Sequence, residues 1–323
     1  MRKAASSTGY PPYAREKDAW MAALSAQLGS QVGPGVMIAT LKPSRPPPLS
    51  NVNLHSFRVA RLEVFARDTE ARLGEASGFF CQLQGRTFLV TNWHVVSGRH
   101  FQTRQALHHS RALPGSLTVH AHVMRERDTA SVPSASTAFR ITLLGSDGHP
   151  RWREHPLFGA DVDVIALDVG GALPLGTQVC PIDLEKELAT ELQLAVMDQA
   201  FVTGFPLQAS TTPNSLPIYK SGTIASEPAI FDSQPRIYID GKTKTGMSGS
   251  PVMVKRGGMA GKDGHSTVED LRFIGVYSGR DRQEPSEFEA ELGIVWPFRE
   301  CLLPILETYL DELQRSARPA SGG

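Results

Sequence analysis

The sequence predicts an all-β protein of barrel type, extended by helical segments. Three observations lead there. Between about residue 55 and residue 298 the apolar residues fall in short runs rich in Val, Ile, Thr and aromatics, punctuated by Gly and Pro, a pattern typical of antiparallel barrels. Helical spacing of apolar residues marks a stretch near the N-terminus, a link between two β-rich blocks, and the C-terminal end. A chain of 323 residues with 41% hydrophobic content can bury one large core or two modest ones.

Residues 1–50 read as an N-terminal extension. Trp20, Met21, Leu24 and Leu28 share one face of a short amphipathic helix, suited to docking on the protein's own barrels or, alternatively, to capturing a partner or substrate. Pro43-Ser44-Arg45-Pro46-Pro47-Pro48 follows as a stiff, extended linker. Residues 51–170 read as a first barrel. Phe57 to Phe65 forms its first strand, Gly78 to Val90 a hairpin turning near Gln84-Gly85-Arg86, and the apolar run Phe88 to Val96 a strand that presents His94 near its end.

Residues 171–298 read as a helical connection, Asp183 to Leu194, followed by a second barrel. Its strands are expected at Ala200 to Thr203, Tyr219 to Ser226, Arg236 to Ile239, Pro251 to Val254 and Arg272 to Tyr277. In residues 299–323 the spacing of Leu302, Ile305, Leu306, Tyr309 and Leu313 predicts an amphipathic helix and a tail, with Pro304 in the helix's first turn.

Charge and cysteines narrow the function classes. Thirty-three basic and 33 acidic side chains leave no net charge, so nucleic acid and anionic membrane are not expected partners. No segment approaches the roughly 20 apolar residues of a membrane span, and Met1-Arg2-Lys3 is not followed by an apolar signal region. Cys81, Cys180 and Cys301 are widely spaced in apolar surroundings and read as reduced thiols. A cytoplasmic address is the expectation.

The chemistry concentrates in three windows. Gly246-Met247-Ser248-Gly249-Ser250-Pro251 sets a serine between glycines, which lets the backbone turn sharply and leaves amides free to face a developing oxyanion. His94 supplies an imidazole that can take the serine proton and return it to a leaving amine. Asp161-Val162-Asp163-Val164-Ile165-Ala166-Leu167 leads a carboxylate into a buried strand. The order is His, Asp, Ser.

With these windows the sequence resembles the trypsin-like serine peptidases of the chymotrypsin fold, particularly bacterial members without disulfides. The residues that carry the resemblance are Thr91 to His94, Asp163 to Leu167, Val202 to Pro206, Gly246 to Pro251 and Phe273 to Gly279, within a span of roughly residues 75 to 298. The resemblance implies two six-stranded antiparallel β-barrels with a C-terminal α-helix. It also implies a catalytic set of His94, Asp163 and Ser248. Asp161 and Asp168 flank the same run, and Asp163 is favoured because the family's aspartate stands at the head of the apolar strand. The oxyanion hole would be the amides of Gly246 and Ser248.

For the substrate pocket the resemblance points to the segment before Ser248, including Lys242, and to Tyr277, Ser278, Gly279 and Gly293. Lys242, Lys244 and Arg280 near that pocket favour an acidic or uncharged residue before the scissile bond. Met247 stands where animal trypsins carry an aspartate that pairs with a freshly cut N-terminus, so that mode of activation is not expected.

His100, His108, His109, His120 and His122 form a histidine-rich stretch after the first motif. His120 and His122 share a strand face, but a zinc site needs three or four convergent ligands, so no metal is expected and the stretch reads as a solvated insertion. The leading reading is an intracellular serine endopeptidase that acts on protein or peptide substrates without a cofactor. The alternatives are a latent protease effector switched on by a regulatory protein partner, and a catalytically silent protease fold used for binding.

Overall fold

The computed structural model describes residues 52–125, 133, 135–206, 216–231, 234–255, 271–280 and 292–317. The N-terminal helix expected around Trp20 and the proline-rich linker lie outside the described residues. Among the described residues no helix is long and apolar enough to cross a membrane.

Eight strands build the first sheet: β1 (Val59–Ala66), β2 (Arg72–Leu83), β3 (Arg86–Thr91), β4 (Pro114–Arg125), β5 (Ala135–Thr142), β6 (Ile165–Asp168), β7 (Thr177–Val179) and β8 (Ile182–Asp183). The order is β5-β4-β1-β2-β3-β6, with β7 against β4 and β8 parallel to β2. The β2–β3 hairpin turns at Gln84-Gly85, both with positive φ (49° and 72°), as a two-residue hairpin turn requires. Burial alternates along β1, whose Leu62 and Val64 face a core shared with Phe79, Leu89, Leu117 and Val119.

This sheet does not close into the six-stranded barrel that the family resemblance implies. Its edges, β5 and β6, are joined through isolated bridges at Leu144↔Pro150 and Arg153↔Ala166. Proline has no N–H to donate to a ladder, and β6 is only four residues long, so the seam between the two edges is irregular.

The second unit closes fully. Its order is β10-β11-β14-β13-β12-β9, formed by β9 (Gln199–Gly204), β10 (Ile218–Ile224), β11 (Ile237–Asp240), β12 (Pro251–Lys255), β13 (Leu271–Arg280) and β14 (Leu292–Pro297). Val202, Ile224, Ile237, Ile239, Val252 and Val295 fill it. Trp296, fully buried, packs edge-on against Phe101 of the first unit with ring centroids 5.7 Å apart, which ties the barrel to the sheet.

Three α-helices stand among the described residues. Helix α1 (Trp93–Ser97) follows β3. Helix α2 (Leu184–Leu188) is capped by Asp183, whose Oδ1 accepts from Lys186 N at 3.2 Å. It stops well before Leu194: Leu192 and Leu194 pack on the barrel core from irregular chain. Helix α3 (Leu303–Ala317), entered through a π-turn at Phe298–Leu302, buries Ile305, Leu306 and Leu310 against the first sheet's core. Pro304 lies in its first turn.

Candidate active site

His94 does not end a strand. Strand β3 stops at Thr91, and Asn92, in extended conformation, starts the short helix α1, which Gly98 ends in a left-handed conformation (φ 69°) with its amide on His94 O at 3.0 Å. A histidine in this first turn is held by helix geometry and stands off the sheet.

The β3–β6 pairing brings the carboxylate to it. Thr91 lies opposite Ile165 in antiparallel register, so the chain leaving β3 runs beside the chain entering β6. Asp163 is fully buried. Its Oδ1 accepts from His94 N at 2.8 Å and its Oδ2 from His94 Nδ1 at 2.6 Å. Asn92, also buried, donates from Nδ2 to Asp163 O at 2.7 Å. Asp161 instead pairs with Arg104, and Asp168 with Arg86 at 2.5 Å. A buried carboxylate is tolerable only when its oxygens are saturated with donors, and Asp163 meets that demand.

Ser248 sits in the turn between β11 and β12. Met247 N donates to Lys244 O at 3.3 Å, Gly249 N to Tyr277 O at 2.8 Å and Ser250 N to Met247 O at 3.1 Å. The amides of Gly246 and Ser248 have no acceptor among the described residues. Gly246 has φ 96°, which lets the loop turn so that these two amides remain available. Gly249 permits close packing: a Cβ there would lie 2.2 Å from Ser77 O and 2.3 Å from Thr91 Oγ1.

Met247 is fully buried in the barrel core. The loop below Ser248 is therefore anchored by apolar burial.

Ser77, in the middle of β2, is a buried site residue that belongs to none of the three sequence windows. Its amide donates to Ser248 O at 2.9 Å, its hydroxyl to Gly246 O at 2.8 Å, and it accepts from Phe205 N at 2.9 Å. A polar residue inside Ala76-Ser77-Gly78-Phe79-Phe80 is the one sequence signal that marks it.

His94 and Ser248 line a common cavity of about 250 Å³ with Gly246. A roomier cavity of about 540 Å³, lined by Glu187, Leu194, Phe231 and Phe298, contains neither a nucleophile nor a histidine, so chemistry and not size selects the site.

The expected pocket residues separate into four groups. Gly279 faces Ser248, a Cβ there falling 3.8 Å from Ser248 Oγ. Ser278 is buried and donates to Asp163 Oδ2. Tyr277 and Gly293 are buried against each other, a Cβ on Gly293 lying 2.6 Å from the Tyr277 ring, and the Tyr277 hydroxyl meets Thr243 Oγ1. They form the barrel interior and not an open pocket. Lys242 and Lys244 stand on the loop before Ser248 and are both exposed.

Other nucleophiles and ligands are committed elsewhere. Burial pushes the thiols of Cys81, Cys180 and Cys301 above the ordinary range, which keeps them protonated. His120 bonds Glu63 (Nε2 to Oε2, 3.0 Å), and His122 packs edge-on against Phe57. Among the described residues no three potential ligands converge on a metal site.

A family model for the trypsin-like peptidase domain matches residues 76–261, more than half of the chain. The chain belongs to the trypsin-like peptidase family. Solved structures similar to this peptidase domain include the crystal structure of Deg5, 18% identical over 81% of this chain and 90% of that one, with a TM-score of 0.43. The inactive form of Rv3671c protease is 18% identical over 82% of this chain and 97% of that one, with a TM-score of 0.41. Comparison with curated proteins returns no match.

Proposed function

We propose that this trypsin-like peptidase is an active serine endopeptidase of the cytoplasm, working through Ser248, His94 and Asp163 without a cofactor. The observation that carries the reading is the two-point hold of Asp163 on His94, at 2.8 and 2.6 Å, in the cleft that Ser248 also lines. With Asp163 accepting from Nδ1–H, the free Nε2 is the basic nitrogen.

Nε2 takes the Ser248 proton as Oγ attacks the scissile carbonyl, and the carbonyl oxygen becomes an anion between the Gly246 and Ser248 amides. Collapse breaks the C–N bond while His94 returns the proton to the leaving amine. Water, deprotonated by His94, then attacks the acyl-enzyme and restores Ser248. Asp163 stabilises the imidazolium in both halves, and each oxyanion donor contributes about 3 kcal/mol. The free thiols of Cys81, Cys180 and Cys301 support a reducing, cytoplasmic setting.

A fluorophosphonate probe on the purified chain tests the reading. Labelling of wild type and none of Ser248→Ala is expected. A folded wild-type protein that resists the probe would leave the fold without this activity.

A further inference from the structure

The cleft continues beyond Ser248 in one direction, and that continuation has its own chemistry. His94 must hand its proton to the leaving nitrogen, so the peptide after the scissile bond departs on the His94 side of Ser248. The 250 Å³ cavity lies there. Its walls include Val95 and Gly98, which follow His94 in the chain, and Ala76 of β2, with no residue of β13, the strand that carries Gly279. Its lining is mostly apolar, with Val64, Leu73, Val95 and Leu107 among the walls, and its single carboxylate, Glu75, is held by Arg61 at 3.2 Å and by Arg72.

Leu107 and His108 form the lip of this cavity and also line a second groove of about 760 Å³. Leu107 is 52% exposed, an apolar side chain standing at the junction. The second groove adds Arg99, His109 and Arg111 and has no acidic residue in its lining. Residues 98–125 contain no Asp or Glu at all. Arg104 in this loop is paired with Asp161, but Arg99 and Arg111 have no carboxylate partner among the described residues. The loop is held in place by the Arg99↔Ala106 bridge and by Leu107 N on Gly98 O at 2.8 Å.

Resting on the peptidase reading, we propose that this enzyme selects substrates by the residues on the leaving-amine side of the scissile bond. An apolar side chain enters the cavity beside His94, and one or two carboxylates further along lie in the groove of Arg99 and Arg111. Charge complementarity of this kind speeds encounter and sets register.

The test uses internally quenched peptides that share one sequence before the bond and differ after it: Leu followed by Asp-Glu, Leu followed by Lys-Lys, and Gly followed by Asp-Glu. The first should be cleaved with kcat/KM about tenfold above each of the others at low salt, and the acidic–basic gap should narrow at high ionic strength. The double charge reversal Arg99→Glu/Arg111→Glu should invert the acidic–basic order, a change that general damage to the fold cannot produce. Equal cleavage of the acidic and basic peptides, or an order unchanged by the double variant, overturns the proposal. The fluorophosphonate probe carries no residue after the bond: labelling with indifferent cleavage rejects this inference alone, whereas no labelling rejects the peptidase reading and this inference with it.

Discussion

The Ser278 hydroxyl donates to the same oxygen of Asp163, Oδ2, that accepts the His94 ring. On the proposed mechanism, Ser278 is a positioning residue for the base. Ser278→Ala should lower kcat/KM by about tenfold, the scale of one hydrogen bond to a charged group, with little change in melting temperature. Asp163→Asn should cost about 10⁴-fold in kcat. Steady-state kinetics beside thermal melts separate the two effects from simple unfolding.

Met247 anchors the nucleophile loop by burial. Met247→Leu, which keeps the volume, should stay within about 1.5 kcal/mol of wild type. Met247→Asp would place an unpaired charge in the barrel core and should cost about 3 kcal/mol or more, with loss of Ser248 labelling. Denaturant titration of both variants measures the difference.

Ser77 joins the two units at the site. Ser77→Ala strips partners from Gly246 O and Phe205 N, groups whose loss of a hydrogen bond costs about 1–3 kcal/mol each when buried. The freed Gly246 carbonyl also loosens the loop that holds the Gly246 and Ser248 amides, so kcat should fall about tenfold or more while KM changes little. A rise in KM at constant kcat would instead place Ser77 in ground-state binding.

His155 staples the approach to Asp163 onto the C-terminal end of the fold. Its Nδ1 accepts from Leu157 N and Phe158 N at 3.2 and 3.1 Å, so Nε2 carries the proton and donates to Glu300 O at 3.1 Å. Burial lowers its pKa from the ordinary 6.5, opposed by the bond to Glu300. A folded-state value below the unfolded one means that this contribution to stability is fully present above pH 6.5 and is lost as pH falls from there towards the folded-state value. Melting temperature should therefore drop from about pH 7.5 to about pH 5.5 in wild type, and less steeply in His155→Gln.

Local windows carry much of what is legible in the sequence. The β-rich class, the apolar spacing of α3 and the Gly246 to Pro251 loop all lie within a few consecutive residues, where side-chain period and turn chemistry act directly. Contacts between distant residues are less legible. By apolar pattern Phe88 to Val96 reads as one strand, but Asn92 breaks it because its side chain is drawn to Asp163 O, 71 residues away. Tyr277 and Gly293 look like pocket residues by their position in the family pattern, yet the ring and the glycine fill each other's space across β13 and β14.

By itself, then, the sequence determined the family, the β-rich architecture and the order of the three motifs, because each is written in contiguous residues. Which aspartate meets His94 was decided only by tertiary structure. Three candidates stand within eight residues of one another, and the antiparallel register of Thr91 against Ile165 carries Asp163 to the imidazole. The same fold sends Asp161 to Arg104 and Asp168 to Arg86. Register is a property of two paired strands, and no single stretch of chain contains it.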